Sequence, residues 1–324
     1  MKKNRGYLIF TSISVVTFAL LFILFIPDSS NTLKKVTIEI EKGESVAGIS
    51  QKLKNEGVIK NRDLFIMLAK IGGMEKKLKS GKYLLLKNMN EYDALIKIYK
   101  GKVLLKRLIV PEGFTIYQIA GRIKNLIGID SLEFLKACRD RETLQRYGIR
   151  GKSCEGFLFP ETYFLSDNMK SYEIIDMMLD RFNDEYPDSV FKPNKYLFSR
   201  YDYIILASMI EKEAMADYEK PVIAGVYYNR IGKGMLLQCC ATVFYAQGRV
   251  GGKLLYRDLE FESPYNTYKH IGLPPGPISN PGESSINAVL NPIKTDYMFY
   301  VSNGDGTHTF SKTYNQHIKT QKER

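Results

Sequence analysis

The segment Tyr203–Ala214 reads YIILASMIEKEA, an apolar run that ends in two glutamates. From Ile204 to Ile210 nearly every face of a helix would be apolar, so we predict a helix that is buried in the core of a domain. Glu211 and Glu213 follow directly and project from different faces of that helix. A carboxyl group at the rim of an apolar pocket retains its proton more readily than one in water, and it can donate that proton to a leaving oxygen. The residues alone favour neither glutamate, and the pair could also mark the point where the helix meets solvent.

The chain has 324 residues, enough for two modest domains that each bury a core. Charged residues make up 25% and hydrophobic residues 44%, as in an ordinary globular protein, which argues against large-scale disorder. The net charge of +12 is spread along the chain. No zinc-finger spacing and no RNP-type strand accompanies it, so we predict no nucleic-acid partner. A solvated basic surface explains the charge, and a polyanionic polymer or anionic lipid headgroups would also suit it.

The amino terminus carries an uncharged apolar run over Tyr7–Ile26. Its length matches the ~20 residues that a helix needs to cross the hydrocarbon core of a membrane. Lys2, Lys3 and Arg5 precede the run, which places the amino terminus in the cytoplasm and the rest of the chain outside. A signal peptide is the alternative, but the run exceeds the usual ~7–15 apolar residues and no small-residue cleavage site follows. We therefore predict a cytoplasmic tail over residues 1–6, a single transmembrane helix over 7–26 and a linker over 27–35.

A strand–turn–helix pattern then occurs twice. In the first copy, Val36–Ile40 alternates as a strand, Gly43 turns the chain and Ser45 can cap a helix. Such an internal repeat indicates one structural unit used twice. The second copy has the same parts in the same order: a strand over Leu108–Val110, a turn at Gly113 and a cap at Thr115.

Residues 36–105 predict a small β-α-α-β module, with a second helix over Asn61–Ile71 and a second strand over Gly81–Leu86. The module resembles the LysM-like fold, a class associated with binding N-acetylated glycans. A structural spacer between the membrane and the rest of the chain is the alternative interpretation.

Residues 106–324 predict a larger α+β domain. We expect helices over Tyr172–Phe182, Asp202–Ala216 and Pro221–Arg230. The Asn303-Gly304-Asp305-Gly306 turn joins two short alternating strands, Tyr297–Ser302 and Thr307–Ser311. Helices, loops and a hairpin without β-α-β alternation are typical of the α+β class.

Several segments of this domain combine aromatic and amide side chains with turn residues. Four prolines among the nine residues from Pro274 make a stiff loop. Tyr, Asn, Thr and Gln side chains supply the hydrogen bonds and flat faces that sugar recognition needs, although each segment could also be a structural loop. The segments are EGFLFPETY from Glu155, LASMIEKEA from Leu206, GVYYNRIGKGMLLQ from Gly225, SPYNTY from Ser263 and GLPPGPISNPG from Gly272.

Together with the closing DGTHTFSKTYNQH segment, these motifs resemble, in order, the MltG/YceG-like family of endolytic murein transglycosylases. The resemblance spans Glu155–His317 and implies Glu211, the first acid of EKE, as the catalytic residue. One stretch, Leu237–Thr242, departs from the family pattern Leu-Gln-Ser-Asp-Pro-Thr: it reads Leu-Gln-Cys-Cys-Ala-Thr, so that Cys240 and Ala241 replace the Asp and the Pro. A substrate contact from that carboxylate is therefore in doubt. The resemblance implies substrate contacts from Glu155, Glu213, Asn229, Arg230, Gln238, Thr242, Tyr265, Asn266, Thr267 and Tyr268.

The resemblance further implies an endolytic lytic transglycosylase that cuts the MurNAc–GlcNAc bond of peptidoglycan and leaves 1,6-anhydroMurNAc ends, which would terminate or trim nascent glycan strands. It implies a location on the cytoplasmic membrane, near penicillin-binding proteins and other wall-synthesis proteins. One acid can suffice, because the C6 hydroxyl of the sugar attacks C1 and an intramolecular nucleophile gains up to ~7–11 kcal/mol. The alternatives are a muramidase-type hydrolase with a second carboxylate, and a non-catalytic wall-binding or scaffold protein.

The metal-ligating residue types show no compact pattern. The sequence therefore predicts no metal and no cofactor. Disulfides stay open, although the adjacent cysteines 239 and 240 do not easily bridge to each other. The residues concerned are His270, His308 and His317, and Cys138, Cys154, Cys239 and Cys240.

Overall fold

The computed structural model describes residues 34–252 and 254–323. It divides into two compact units: the first ends at Lys106 and also takes in Ser166–Asn168, and the second comprises Arg107–Leu165 and Met169–Arg324. Among the described residues, no helix has both the length and the apolar content needed to cross a membrane. The predicted anchor over residues 7–26 lies outside the described residues, so it stays a prediction.

The first unit has the predicted β-α-α-β order and adds a third helix that the sequence analysis did not predict. Its two strands pair antiparallel, with Lys35 opposite Leu86 and Ile40 opposite Gly81. Alternate residues of the strands and one face of each helix form its core. The elements are β1 (Lys35–Ile40), α1 (Val46–Asn55), α2 (Arg62–Ile71), β2 (Gly81–Leu86) and α3 (Glu91–Lys100), and the core includes Ile38, Ile49, Leu53, Phe65, Tyr83 and Ile98.

The second unit is a mixture of helices and two small sheets, which confirms the predicted α+β class. Strand β3 (Lys106–Ile109) pairs with β4 (Thr162–Leu165), and β5 (Phe299–Ser302) pairs antiparallel with β6 (His308–Ser311). The helices are α4 (Ile116–Ile127), α5 (Ser131–Ala137), α6 (Arg141–Arg146), α7 (Ser171–Glu185), α8 (Arg200–Glu213), α9 (Lys220–Gly232), α10 (Cys240–Ala246), α11 (Tyr256–Leu259), α12 (Glu283–Leu290) and α13 (Tyr314–Lys322).

The repeated strand–turn–helix pattern is confirmed in both copies. Gly43 and Gly113 both adopt a positive φ, 83° and 72°, which glycine reaches without a steric penalty. The Ser45 side chain accepts a hydrogen bond from Gly48 N, and the Thr115 side chain accepts one from Gln118 N. Both helices therefore begin where a hydroxyl satisfies an otherwise unpaired backbone N–H group.

Helix α8 lies in the core of the second unit, as its apolar run predicts. Every residue from Tyr203 to Ile210 is buried. The helix ends at Glu213, three residues before the predicted end, because Ala214 is extended with φ −94° and ψ 124°. A short turn over Asp217–Glu219 then leads into α9. The early end leaves the two glutamates in the last turn of the helix.

Candidate functional site

A groove of about 450 Å³ opens on the second unit at the carboxyl end of α8. Its walls come from the start of α4, the end of α8, the start of α10, the segment around Arg249 and the β5–β6 hairpin. Of the described residues that line it, one carries a carboxyl group, and that residue is Glu213. The polar lining also includes Thr115, Gln118, Lys212, Cys240, Ser302 and His308.

The carboxyl group of Glu213 is held by two donors. The Tyr300 hydroxyl donates to Oε2 at 3.1 Å, and the Cys239 thiol donates to Oε1 at 3.1 Å. The Tyr300 hydroxyl also lies 2.9 Å from the Tyr227 hydroxyl. Burial, followed by the nearby Glu213 charge, raises the pKa of Tyr300 and of Cys239, so both groups stay protonated as donors at neutral pH. The groove therefore presents one carboxyl group in a fixed position.

Glu211 has different surroundings and is not among the described residues that line the groove. Its side chain is 9% exposed, and Oε2 accepts hydrogen bonds from Gly282 N at 3.1 Å and from the Ser285 hydroxyl at 2.6 Å. The Lys220 ammonium, itself 3% exposed, lies 3.6 Å from the same oxygen. Glu211 therefore ties the end of α8 to the start of α12. Its assignment as the catalytic residue stays a prediction.

A third carboxyl group, that of Glu112, lies close to Glu211. A Cβ atom added to Gly282 would meet the Glu112 carboxyl carbon at 2.0 Å, which places that carboxyl directly over the Gly282 backbone. Burial and then the Glu211 charge raise the pKa of Glu112. The two acids and Lys220 form a charged cluster at the start of α12.

Glu155, which was predicted to contact substrate, is 2% exposed. It accepts hydrogen bonds from Ile116 N at 3.1 Å, from the Asn280 amide at 3.1 Å and from the Tyr245 hydroxyl at 3.3 Å. Burial raises the pKa of Glu155 to about 8, although these donors act in the opposite direction. Its carboxyl thus joins the start of α4 to two other segments of the unit.

Asn229 and Arg230 bond to the protein through their polar atoms. The Asn229 amide donates to Thr295 O at 2.7 Å and to Tyr297 O at 3.0 Å. Arg230 is 6% exposed and donates from Nε to Met298 O at 2.7 Å. Its Nη1 reaches Gln238 Oε1 at 3.1 Å, which also occupies the Gln238 amide oxygen. These side chains fix the segments around the groove, and their predicted contacts with substrate stay predictions.

The Tyr265–Tyr268 segment packs against the start of α10. Thr242 and Thr267 are buried and share a hydrogen bond of 2.9 Å between their hydroxyls. Asn266 is fully buried and donates to Leu259 O and Phe261 O at 2.8 and 2.9 Å. Tyr265 packs on Tyr245 with ring centroids 5.2 Å apart, and the Tyr268 hydroxyl lies 3.1 Å from Cys240 Sγ.

Cys240 lines the groove at the position where the family pattern carries a carboxylate. All four cysteines of the chain are free thiols in this structure. Burial raises the pKa of Cys240, so its thiol is protonated at neutral pH. The side chain therefore adds an uncharged polar group to the wall of the groove beside Glu213.

Sequence reasoning missed two groups of the β5–β6 hairpin. Tyr300 holds Glu213, and His308 lines the groove and was considered only as a metal ligand. Tyr300 and Ser302 are two residues apart on β5, and Ser302 pairs with His308 on β6, so the three share one face of the hairpin. The alternation of side chains along the two predicted strands could have shown from the sequence that Tyr300, Ser302 and His308 share this face. Among residues 34–252 and 254–323, no group of three His, Cys, Asp or Glu side chains could hold a metal ion.

Comparisons of the sequence with known proteins all lead to the same family. The sequence profile of the YceG-like family matches residues 38–323. An endolytic murein transglycosylase of Bacillus subtilis is 37% identical over 314 residues, which cover 91% of this chain and 86% of the relative. An endolytic murein transglycosylase of Streptococcus pneumoniae is 30% identical over 311 residues, covering 86% of this chain and 56% of that longer protein.

A solved structure gives the same result. The 2.6 Å crystal structure of a YceG-like protein from Listeria monocytogenes superposes with a TM-score of 0.62 at 35% sequence identity. The match covers 89% of this chain and 99% of the Listeria chain. The fold, the order of the motifs and these matches lead to one conclusion: the chain belongs to the YceG-like family.

Proposed function

We propose that this chain is an endolytic lytic transglycosylase of peptidoglycan that cuts the MurNAc–GlcNAc bond and leaves 1,6-anhydroMurNAc ends. The family membership and the shared name of the Bacillus and Streptococcus relatives support the activity. The observation that carries the chemistry is the single carboxyl group, that of Glu213, among the described residues that line the groove. Hydrolysis of a glycosidic bond ordinarily uses two carboxyl groups, whereas ring closure by the C6 hydroxyl replaces the attacking water.

In this mechanism the carboxyl group donates its proton to the glycosidic oxygen that leaves with GlcNAc. The C6 hydroxyl of MurNAc then closes on C1, and its proton must be accepted by a base in the groove. We assign the proton donor to Glu213, since its carboxyl faces the groove and is fixed by Tyr300 and Cys239. Glu211, the residue implied by the family motif, is the competing assignment, and its carboxyl is bonded to Gly282, Ser285 and Lys220.

The test digests peptidoglycan in H₂¹⁸O and identifies the new ends by mass spectrometry. We expect the new ends to be 1,6-anhydroMurNAc without ¹⁸O, and we expect the cuts to fall at internal bonds of the strands as well as near their ends. Reducing MurNAc ends that carry ¹⁸O, with no anhydro ends, would establish a hydrolase instead. The Glu213→Gln variant removes the donated proton and keeps the size of the side chain, so its digest serves as the inactive control.

We further propose that residues 7–26 anchor the chain in the cytoplasmic membrane with the catalytic unit outside. The uncharged apolar run and the basic residues before it support this location. Membrane fractionation, with a protease that reaches only the outer face, tests it. Retention of the chain in the soluble fraction would contradict the anchor.

The first unit is, by the same proposal, a LysM-like module that binds glycan, and its β-α-α-β order supports this. The proposed partners are peptidoglycan strands, penicillin-binding proteins and other wall-synthesis proteins. Crosslinking in living cells tests the protein partners, because a chain that works beside a synthase is captured with it.

A further inference from the structure

A histidine of the groove is held in one orientation by a buried carboxylate. His308 Nδ1 lies 2.8 Å from Glu219 Oε2, and the backbone N–H of His308 donates to Glu219 Oε1 at 3.0 Å. The two side chains are 8% and 6% exposed. Glu219 therefore binds both the ring and the main chain of the same residue, which fixes the imidazole against rotation.

This contact determines which ring nitrogen carries the proton. A carboxylate beside Nδ1 accepts a hydrogen bond, so Nδ1 is the protonated nitrogen of the neutral ring and Nε2 keeps its lone pair. Among the described residues no partner binds Nε2, and His308 lines the groove. The imidazole thus presents an acceptor to whatever molecule the groove holds.

His308 and Glu213 both contact Tyr300. The Tyr300 ring meets the His308 ring edge-on, with centroids 5.4 Å apart, and the Tyr300 hydroxyl donates to Glu213 at 3.1 Å. Both residues line the same groove. A sugar ring bound there can contact the acid through its glycosidic oxygen and the imidazole through another hydroxyl.

We propose that His308 is a second catalytic residue, whose Nε2 accepts the proton of the MurNAc C6 hydroxyl while Glu213 protonates the leaving oxygen. The inference rests on the proposed transglycosylase function. The bond between C1 and the GlcNAc oxygen breaks, and that oxygen takes the proton of Glu213. The bond between the C6 oxygen and C1 forms, and the proton of the C6 hydroxyl moves to Nε2. No atom of water enters the product. The imidazolium then returns its proton, through water in the groove, to the Glu213 carboxylate.

Glu219 acts in this scheme as a positioning residue. Its carboxylate keeps the proton on Nδ1, so that Nε2 is the basic nitrogen. A glutamine at this position can turn its amide N–H towards Nδ1, which favours the other tautomer and places a proton on Nε2. The Glu219→Gln variant should therefore lose the base while it keeps the side chain of His308.

The experiment compares the parent chain with His308→Gln and Glu219→Gln, at enzyme excess in H₂¹⁸O so that slow variants still form product. We expect both variants to cut at least tenfold more slowly. We also expect an increased fraction of ¹⁸O-labelled reducing ends, because water competes when ring closure loses its base. This fraction does not depend on how much of a variant is folded. His270→Gln is the matched control, since His270 is exposed and is not among the residues that line the groove.

A His308→Gln variant with the parental rate and purely anhydro ends would overturn the inference. So would a variant in which only KM rises and kcat and the product ends stay unchanged, because that result describes a binding contact. The parent chain separates this outcome from failure of the proposed function, which would show itself as an absence of anhydro ends before any substitution is made.

Discussion

The two glutamates in the last turn of α8, Glu211 and Glu213, have different surroundings. Residues two positions apart in a helix point about 200° apart around its axis. Glu213 faces a groove and is bonded to a hydroxyl and a thiol. Glu211 faces the start of α12 and a buried ammonium group. A proton donor needs access to its substrate, and this requirement distinguishes the two where their shared motif does not.

The hydroxyl of Tyr300 should matter to turnover more than to substrate binding. Tyr300→Phe removes the donor to Glu213 Oε2 and leaves the ring in place. Glu213 becomes charged as it gives up its proton, and a hydrogen bond to a charged group contributes about 1.5–3 kcal/mol, so we expect kcat to fall about ten- to hundredfold with little change in KM. Steady-state kinetics on a soluble glycan strand measures both. Tyr172→Phe, on an exposed tyrosine of α7, should match the parent, and an unchanged kcat in Tyr300→Phe would refute this role.

Glu155 should make the stability of the second unit depend on pH. Burial raises its pKa from 4.5 to about 8, so between these values the folded chain keeps a proton that the unfolded chain has lost. This contribution to stability is complete below about pH 4.5 and is lost as the pH rises towards 8. The unfolding temperature of the parent should therefore fall relative to that of Glu155→Gln over this window. Calorimetry at pH 5 to 8.5 measures it, and parallel curves for the two proteins would contradict the prediction.

At the scale of elements, α9 depends on a glycine that lets another segment approach closely. A Cβ atom at Gly225 would lie 2.3 Å from the backbone oxygen of Ile293. Gly225→Ala should therefore lower the stability of the second unit by about 1–3 kcal/mol, although alanine favours helix. Gly121 in α4 has nothing within 4 Å of the same position, so Gly121→Ala should stabilise by about 0.5–1 kcal/mol. Calorimetric unfolding temperatures that shift in the same direction for both variants would refute this account.

The elements that the sequence predicted well are those with local causes. Ser45 and Thr115 begin helices through their own hydroxyls, and Gly43 and Gly113 turn the chain through their own φ angles. The end of α8 was predicted three residues too late. Ala214 is extended and the chain leads through a short turn into α9, a path that the residues at the helix end do not by themselves require.

The candidate site was predicted in part, for a related reason. The sequence motifs include Glu213 among the residues expected to contact substrate. Other polar side chains of the same motifs, such as those of Arg230 and Asn266, donate hydrogen bonds to backbone carbonyls of neighbouring segments. The same residue types serve sugar binding and loop bracing, and only tertiary contacts separate the two uses. His308 and Tyr300 were missed because a hairpin far along the chain brings them to the end of α8.

At the scale of the whole molecule, most of the net positive charge lies in the part of the chain that forms the first unit. Residues 34–106 hold 17 Lys and Arg against 8 Asp and Glu, a net charge of +9 out of the total of +12. Several of these lysines lie at the end of α2, just after it, or at the end of α3, and are exposed, among them Lys70, Lys76, Lys77 and Lys100. The first unit therefore has the charge to attract the carboxylates of peptidoglycan peptides.

Binding of the Glu213→Gln chain to intact peptidoglycan should therefore weaken as salt increases, because exposed charges are screened. Replacing Lys70, Lys76, Lys77 and Lys100 with glutamine should lower the affinity several-fold and flatten the salt dependence. Co-sedimentation with insoluble peptidoglycan at several salt concentrations measures both effects. The control replaces four exposed lysines of the second unit, namely Lys152, Lys192, Lys233 and Lys294. An equal loss of affinity in the control protein would contradict a special role for the first unit.

The identity of the carboxyl group that donates the proton is the central feature of the proposed mechanism. The direct measurement is the single-turnover rate at which Glu213→Gln and Glu211→Gln form anhydro ends, with circular dichroism to show that both are folded. We predict that Glu213→Gln forms none above background, whereas Glu211→Gln retains measurable cleavage, since its amide can still accept the hydrogen bonds from Gly282 and Ser285. Cleavage by folded Glu213→Gln at the parental rate, with loss of activity in folded Glu211→Gln, would contradict the account.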